Sequence, residues 1–110
     1  IKIGSKTKTN ITQLQKSVQV LAITRAELKL NNCLLVDVRT IEERFTFNIG
    51  GMHIPLQEVE KSSSVFKNNQ TIAFYCASGK RSKQAAQIVK EKNPDLTIYT
   101  LIDGTDDWQN

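Results

Sequence analysis

The chain has 110 residues, 39% of them hydrophobic and 24% charged, a composition that describes one ordinary globular domain with a single core. No apolar run approaches the roughly 20 residues of a membrane span and no secretory leader pattern opens the sequence, so neither a membrane nor an export role is expected. The net charge of +4 would suit a nucleic-acid binder, but residues 1–26 hold five bases (Lys2, Lys6, Lys8, Lys16 and Arg25) and no acid, whereas the remainder carries ten bases against eleven acids, and no aromatics interleave with the basic residues, so no nucleic-acid partner is expected.

Residues 1–16 mix Lys, Thr, Ser, Asn and Gln with scattered Ile1, Ile3, Ile11 and Leu14, and are predicted to be a basic polar linker or tether ahead of a domain at 17–110. The first residue is Ile1 rather than Met, as expected of a fragment or processed end of a larger protein. Val18 to Ile23 alternates weakly, like a short edge strand. Thr24-Arg25-Ala26-Glu27 then has the capping-box spacing and predicts a short helix to about Leu30. Leu34 to Val38 is apolar except for Asp37 and reads as a buried parallel strand. A carboxylate at the end of such a strand needs donors, either loop N–H groups or a cation such as Arg39 or Arg81, and Asp37 is therefore predicted to be structural. Thr40 to Phe45 predicts a short helix capped by Thr40, with Glu43 four residues after Arg39 and close enough to pair with it.

In Asn48 to Leu56, Gly50-Gly51 supplies a tight turn and Pro55 ends a short extended piece, His53-Ile54. His53 is the single histidine and so the one candidate for an imidazole base, although a structural role suits a lone histidine better. Gln57 to Phe66 reads as a helix followed by a Ser-rich turn. Thr71 to Tyr75 is a strand, Lys83 to Lys92 a helix with Ala85, Ala86, Ile88 and Val89 on one face, and Leu96 to Leu101 a further strand before Asp103-Gly104 turns the chain toward Trp108. This alternation predicts an α/β fold with a mainly parallel central sheet flanked by helices on both faces. Such sheets bind ligands at the C-terminal ends of their strands, where Cys76, Arg39 and Gly104 all fall.

Cys76 stands where a strand hands over to a helix. A helix N-terminus leaves N–H groups without intrahelical partners and favours an anion in front of it, and a thiolate is such an anion. Lys80 and Arg81 add positive charge, Gly79 admits a backbone conformation closed to other residues, and Ser82 is placed to cap the helix. The surroundings are those of a nucleophilic cysteine rather than a packing one. Cys33, by contrast, opens the strand that Asp37 ends. Parallel strands would hold the two thiols on the order of 15 Å apart, at about 3.3 Å per residue, beyond disulfide reach. Free thiols fit a reducing compartment, and a cytoplasmic location is expected.

Four segments together resemble the rhodanese-type sulfurtransferase domain. They are Leu35-Val36-Asp37-Val38-Arg39 with Glu43 beyond it, Ile49 to Pro55, Cys76-x-x-Gly79-x-Arg81-Ser82, and Leu101 to Trp108. The sequence departs from that family's usual pattern at Phe47-Asn48, commonly Gly-His, and at Asp103-Gly104, commonly Gly-Gly; its Ile-to-Pro stretch is one residue shorter. The shortened Ile49 to Leu56 form is similar to rhodanese modules fused behind adenylating domains of molybdopterin and thiamin biosynthesis. The resemblance implies that Cys76 accepts sulfur as a persulfide, with a loop of Ala77, Ser78, Gly79, Lys80, Arg81 and Ser82 cradling it through backbone N–H groups and Arg81 stabilising loop and substrate charge. Asp37 and Arg39 would be structural partners near the site. It further implies a small anionic sulfur donor such as thiosulfate, or a donor protein, a sulfur-carrier protein as acceptor, and no metal or organic cofactor. Two rivals stand beside it: a cysteine-dependent phosphatase of the related fold, which places five residues between Cys and Arg where this chain has four, and a non-catalytic binding module.

Overall fold

The computed structural model describes residues 20–67 and 70–106; the predicted tether at 1–16 and Trp108 lie outside them. The elements in chain order are β1 (Leu21–Ile23), α1 (Arg25–Leu30), β2 (Leu34–Asp37), α2 (Ile41–Thr46), β3 (Met52–His53), α3 (Val59–Ser62), β4 (Thr71–Tyr75), α4 (Lys80–Lys92) and β5 (Thr97–Leu101). The strands form one sheet in the order β1-β5-β4-β2-β3 with every pairing parallel. The predicted α/β class is therefore observed, with β1 on an edge and β4 in the centre.

Alternation along β4 divides the core. Ile72, Phe74 and Cys76 point to one face, where Ala85, Ala86 and Val89 of α4 pack with Val36, Val38, Val59 and Leu96. Phe66 closes this side edge-on to Phe74, with ring centroids 6.0 Å apart. Tyr75 points to the other face, where it packs with Ile23 and Leu101 and, more peripherally, Leu28 of α1, Cys33 and Leu35. Helices thus cover both faces. Among the described residues no helix is long and apolar enough to cross a membrane.

The turn at Gly50-Gly51 places β3. A Cβ on Gly51, whose φ is +84°, would lie 2.4 Å from the carbonyl oxygen of Leu35, so the chain can approach β2 this closely only with glycine there. Pairing then runs from Val36 opposite Met52 to Asp37 opposite His53, and continues through the Ile54 N–H to the Asp37 carbonyl at 2.9 Å.

Two local expectations are corrected. The helix expected from Gln57 is shorter than predicted: a 3-10 turn (Leu56–Glu58) precedes only four α-helical residues, and the Ser-rich turn that follows is a second 3-10 turn (Ser63–Val65). Serines compete with the helical ladder for backbone partners, and the Ser63 hydroxyl donates to the Glu60 carbonyl at 3.0 Å. Further on, α4 begins at Lys80 rather than Lys83, because Gly79, at φ +105°, is its N-cap and Ser82 already lies inside the first turn.

Candidate active site

The fold brings the C-terminal ends of β4, β2 and β5 together around the Cys76 loop. Cys76 is fully buried, and its Sγ accepts the backbone N–H of Gly79 at 3.0 Å and that of Ser82 at 3.3 Å. Two N–H dipoles converging on one sulfur stabilise negative charge on it. The positive φ of Gly79 bends the chain into α4 so that the N–H of Ser82 joins that of Gly79 at the sulfur. Ser82 does not cap the helix as predicted; its hydroxyl donates to the Gly79 carbonyl at 3.0 Å and closes the loop from behind. Ala77 is half-buried, and Ser78 and Lys80 are exposed.

The chain after β5 holds the loop's other side. Thr105 N–H donates to the Cys76 carbonyl at 3.0 Å and Asp106 N–H to the Ala77 carbonyl at 2.9 Å. Asp103 and Gly104 both take positive φ, 63° and 62°, to deliver these contacts. A Cβ on Gly104 would stand 2.2 Å from the Ala77 carbonyl oxygen and 2.5 Å from that of Cys76. Gly104→Ala is therefore expected to destabilise the domain by about 2–3 kcal/mol, from left-handed strain plus overpacking against backbone, and to raise the alkylation rate of Cys76 as the loop is displaced. Asp103→Gly, at a position with the same φ, should be near neutral. Urea unfolding and iodoacetamide kinetics measure both, and equal effects would show that the Ala77 contact is unimportant.

Asp37 is held by Arg39, one of the two cations predicted for it, and by a second one that was not. Its carboxylate accepts Arg39 Nε and Nη2 at 3.0 Å each, the Arg39 backbone N–H at 3.0 Å and Arg44 Nη1 at 3.3 Å. Arg39 was an expected partner; Arg44 was not, and Arg81 is not one. Arg44 also donates to the Gly51 carbonyl at 2.7 Å, tying α2 to the glycine turn. Arg39 donates further to the Phe47 carbonyl and lies 5.5 Å from the centroid of the Tyr75 ring. The Tyr75 hydroxyl donates to the Gly50 carbonyl at 2.9 Å. His53 Nε2 sits 2.8 Å from the Arg39 carbonyl; a carbonyl can only accept, so this nitrogen is the donor of a contact that ties β3 to the residue two positions beyond the end of β2.

Glu43 does not pair with Arg39. It reaches across to the Cys76 loop and binds Arg81 through two bonds, Nη1 to Oε1 at 2.7 Å and Nη2 to Oε2 at 2.9 Å. It is also the acid of a capping box, accepting the Thr40 N–H at 2.8 Å while Thr40 accepts the Glu43 N–H. The Arg81 hydrogen bonds, and to a smaller extent those from Thr40, hold the Glu43 carboxyl at about 2 against the desolvation that opposes them. Its stabilising contribution is thus complete above the ordinary carboxylate range and disappears as pH falls toward 2. The two side chains are 31% and 34% exposed, so solvent screening limits the effect to about 0.5–1 kcal/mol. Wild type is expected to exceed Glu43→Gln in urea resistance by that margin at pH 6 and to lose the advantage by about pH 2. A margin independent of pH would refute the ion pair.

A cleft of about 300 Å³ opens beside the loop, lined by Arg39, Glu42, Glu43, Thr46, Ala77, Thr105 and Asp106. Sequence reasoning missed Arg44, Thr105 and Asp106 altogether and gave Glu43 the wrong partner. Only Glu43 carried a readable signal, since Thr40-Ile41-Glu42-Glu43 has the same capping-box spacing that was recognised at Thr24.

A parallel sheet whose central strand ends in a cysteine, with loop N–H groups converging on its sulfur at a helix N-terminus, defines an anion-stabilising thiol site on an α/β scaffold. The chain belongs to the rhodanese-like domain family, whose model matches residues 21–110. A Bacillus subtilis (strain 168) protein named as a candidate sulfur carrier, YrkF, is 40% identical over 75 residues, which is 67% of this chain and 40% of that protein. The chain thus spans well under half the length of that relative. Among solved structures, a Staphylococcus saprophyticus protein is 29% identical with a TM-score of 0.71, over 80% of this chain and 92% of that one. An NAD-dependent persulfide reductase from A. fulgidus is 27% identical with a TM-score of 0.66, over 90% of this chain and 18% of that one.

Proposed function

We propose that the domain is a sulfurtransferase that carries a sulfane sulfur as a Cys76 persulfide. The observation that carries this reading is the pair of N–H groups, Gly79 and Ser82, directed at Sγ from a loop with only four residues between Cys76 and Arg81. In the first half-reaction the Cys76 thiolate attacks the outer sulfur of a donor; the Sγ–S bond forms, the donor's S–S bond breaks, and the remainder leaves with the electron pair as sulfite or a thiolate. An acceptor thiolate or cyanide then attacks that outer sulfur and restores the Cys76 thiolate. Negative charge stays beside the loop throughout, so preorganised N–H dipoles are the catalytic device, and neither a metal nor an organic cofactor enters the cycle. Ala77 to Ser82 form the cradle; Arg81, held by Glu43, fixes its far end.

The sulfur-carrier description of the Bacillus relative and the persulfide chemistry named for the A. fulgidus protein both support this role. A protein acceptor served by an adenylating domain is the narrower reading suggested by the shortened Ile49 to Leu56 segment. The test is to incubate the 110-residue chain separately with thiosulfate and with cysteine persulfide and to measure its intact mass. One added sulfur, located on Cys76 and removed by cyanide, is the expected result. No adduct with either donor, or hydrolysis of an aryl phosphate instead, would overturn the reading.

A further inference from the structure

Resting on that reading, we propose that the sulfur partner is a protein that docks across α2, with an apolar side chain on Ile41 and Phe45 and a basic group over the cleft, rather than a small dianion such as thiosulfate. The first observation is that α2 buries none of its residues although it carries two large apolar ones. Ile41 is 66% exposed and Phe45 93% exposed, and their spacing of four places them side by side on the helix. Single exposed apolar residues are common, but an adjacent pair bordering a reactive site marks an interaction surface. The pair lines a groove of about 410 Å³ with Arg44, Asn48 and His53. Glu42, Glu43 and Thr46 of the same helix line the cleft beside the Cys76 loop, so the groove and the cleft adjoin across two turns of one helix.

The second observation is charge. Of the groups lining the cleft, Glu43 is neutralised by Arg81, whereas Arg39 shares the Asp37 carboxylate with Arg44, so that cluster keeps one positive charge, carried on the groove side by Arg44. Glu42 and Asp106 have no cation within salt-bridge distance among the described residues. Lys80, the other base of the loop, is exposed and does not line the cleft. The two unpaired carboxylates, Glu42 and Asp106, outweigh the cluster's one positive charge at the cleft, which disfavours a dianion such as thiosulfate there and favours a cationic surface. In the transfer the partner's persulfide gives its outer sulfur to Sγ; the Sγ–S bond forms as the partner's S–S bond breaks, and the partner leaves as a thiolate without net redox change.

Synthetic peptide persulfides serve as probes, one with Lys and Leu flanking the cysteine and one with Glu and Ser. At low salt the first is expected to load Cys76 about tenfold faster than the second, with the preference shrinking at high salt. Ile41→Ser with Phe45→Ser should lower the Lys/Leu peptide's rate about fivefold relative to the rate with cysteine persulfide. Glu42→Gln with Asp106→Asn should raise the rate with thiosulfate. Equal peptide rates that are insensitive to Phe45 would overturn the docking surface, as would self-association of the chain that Phe45→Ser abolishes, since the face would then belong to a second copy. Serine analogues of both peptides, titrated by NMR, separate the two proposals. Preferential binding at α2 without any loading of Cys76 would sink sulfur transfer and keep the surface; rapid loading without that preference would do the reverse.

Discussion

Replacing Asp37 with alanine is expected to destabilise the domain by about 3–5 kcal/mol, read from urea unfolding, because it strands a buried cation. Asp37 is fully buried and the Arg39 side chain is 5% exposed, so water cannot take the carboxylate's place. Without it, Arg39 keeps the Phe47 carbonyl and the face of Tyr75, neither of which carries a compensating charge. Arg44 loses one partner as well, but it is 24% exposed and retains the Gly51 carbonyl. The cost of the single substitution thus exceeds what the pair itself contributes. Combining Asp37→Ala with Arg39→Met removes both charges and should recover most of the loss. A loss below about 1 kcal/mol for the single variant would show that Arg39 finds solvent and that the pair is dispensable.

The same residues show how far the sequence can be read. An apolar run interrupted by one acid announces a strand and a buried carboxylate together, and both are found. Which cation answers it is a different matter. Arg39 lies two residues away and was foreseeable, whereas Arg44 reaches Asp37 from a helix whose orientation depends on the Gly50-Gly51 turn and on β3 joining the sheet. Periodicity carries no information on that orientation in α2, where no residue is buried. Glu43 illustrates the competing rule: the spacing of four from Arg39 suggested a helical pair, but Arg39 precedes the helix and faces Asp37, so Glu43 was free to cap Thr40 and to meet Arg81 from a distant part of the chain. Thr105 and Asp106 act through backbone N–H groups, which no side-chain pattern reveals. The Cys76 loop was legible because its chemistry is local: strand end, glycine at positive φ and helix N-terminus are consecutive in the chain.

Cys76→Ser is expected to reduce sulfur transfer to the uncatalysed background while leaving cooperative unfolding intact. Serine fits the same volume and can accept the Gly79 and Ser82 N–H groups, so the loop has no reason to collapse. It cannot do the chemistry, since a hydroxyl is un-ionised at neutral pH and forms no persulfide. Cys33→Ser provides the contrast and should retain the rate to within about twofold. Cys33 packs with Tyr75, Ile23 and Leu101 on one face of the sheet, whereas Cys76 lies in the core of the other, beyond the opposite ends of paired strands. Burial pushes the Cys33 thiol up, away from the thiolate that attack on sulfur requires. Both variants are assayed by intact mass after exposure to cysteine persulfide. A folded Cys76→Ser domain that still took up sulfur would place the persulfide on Cys33, the only other thiol in the chain.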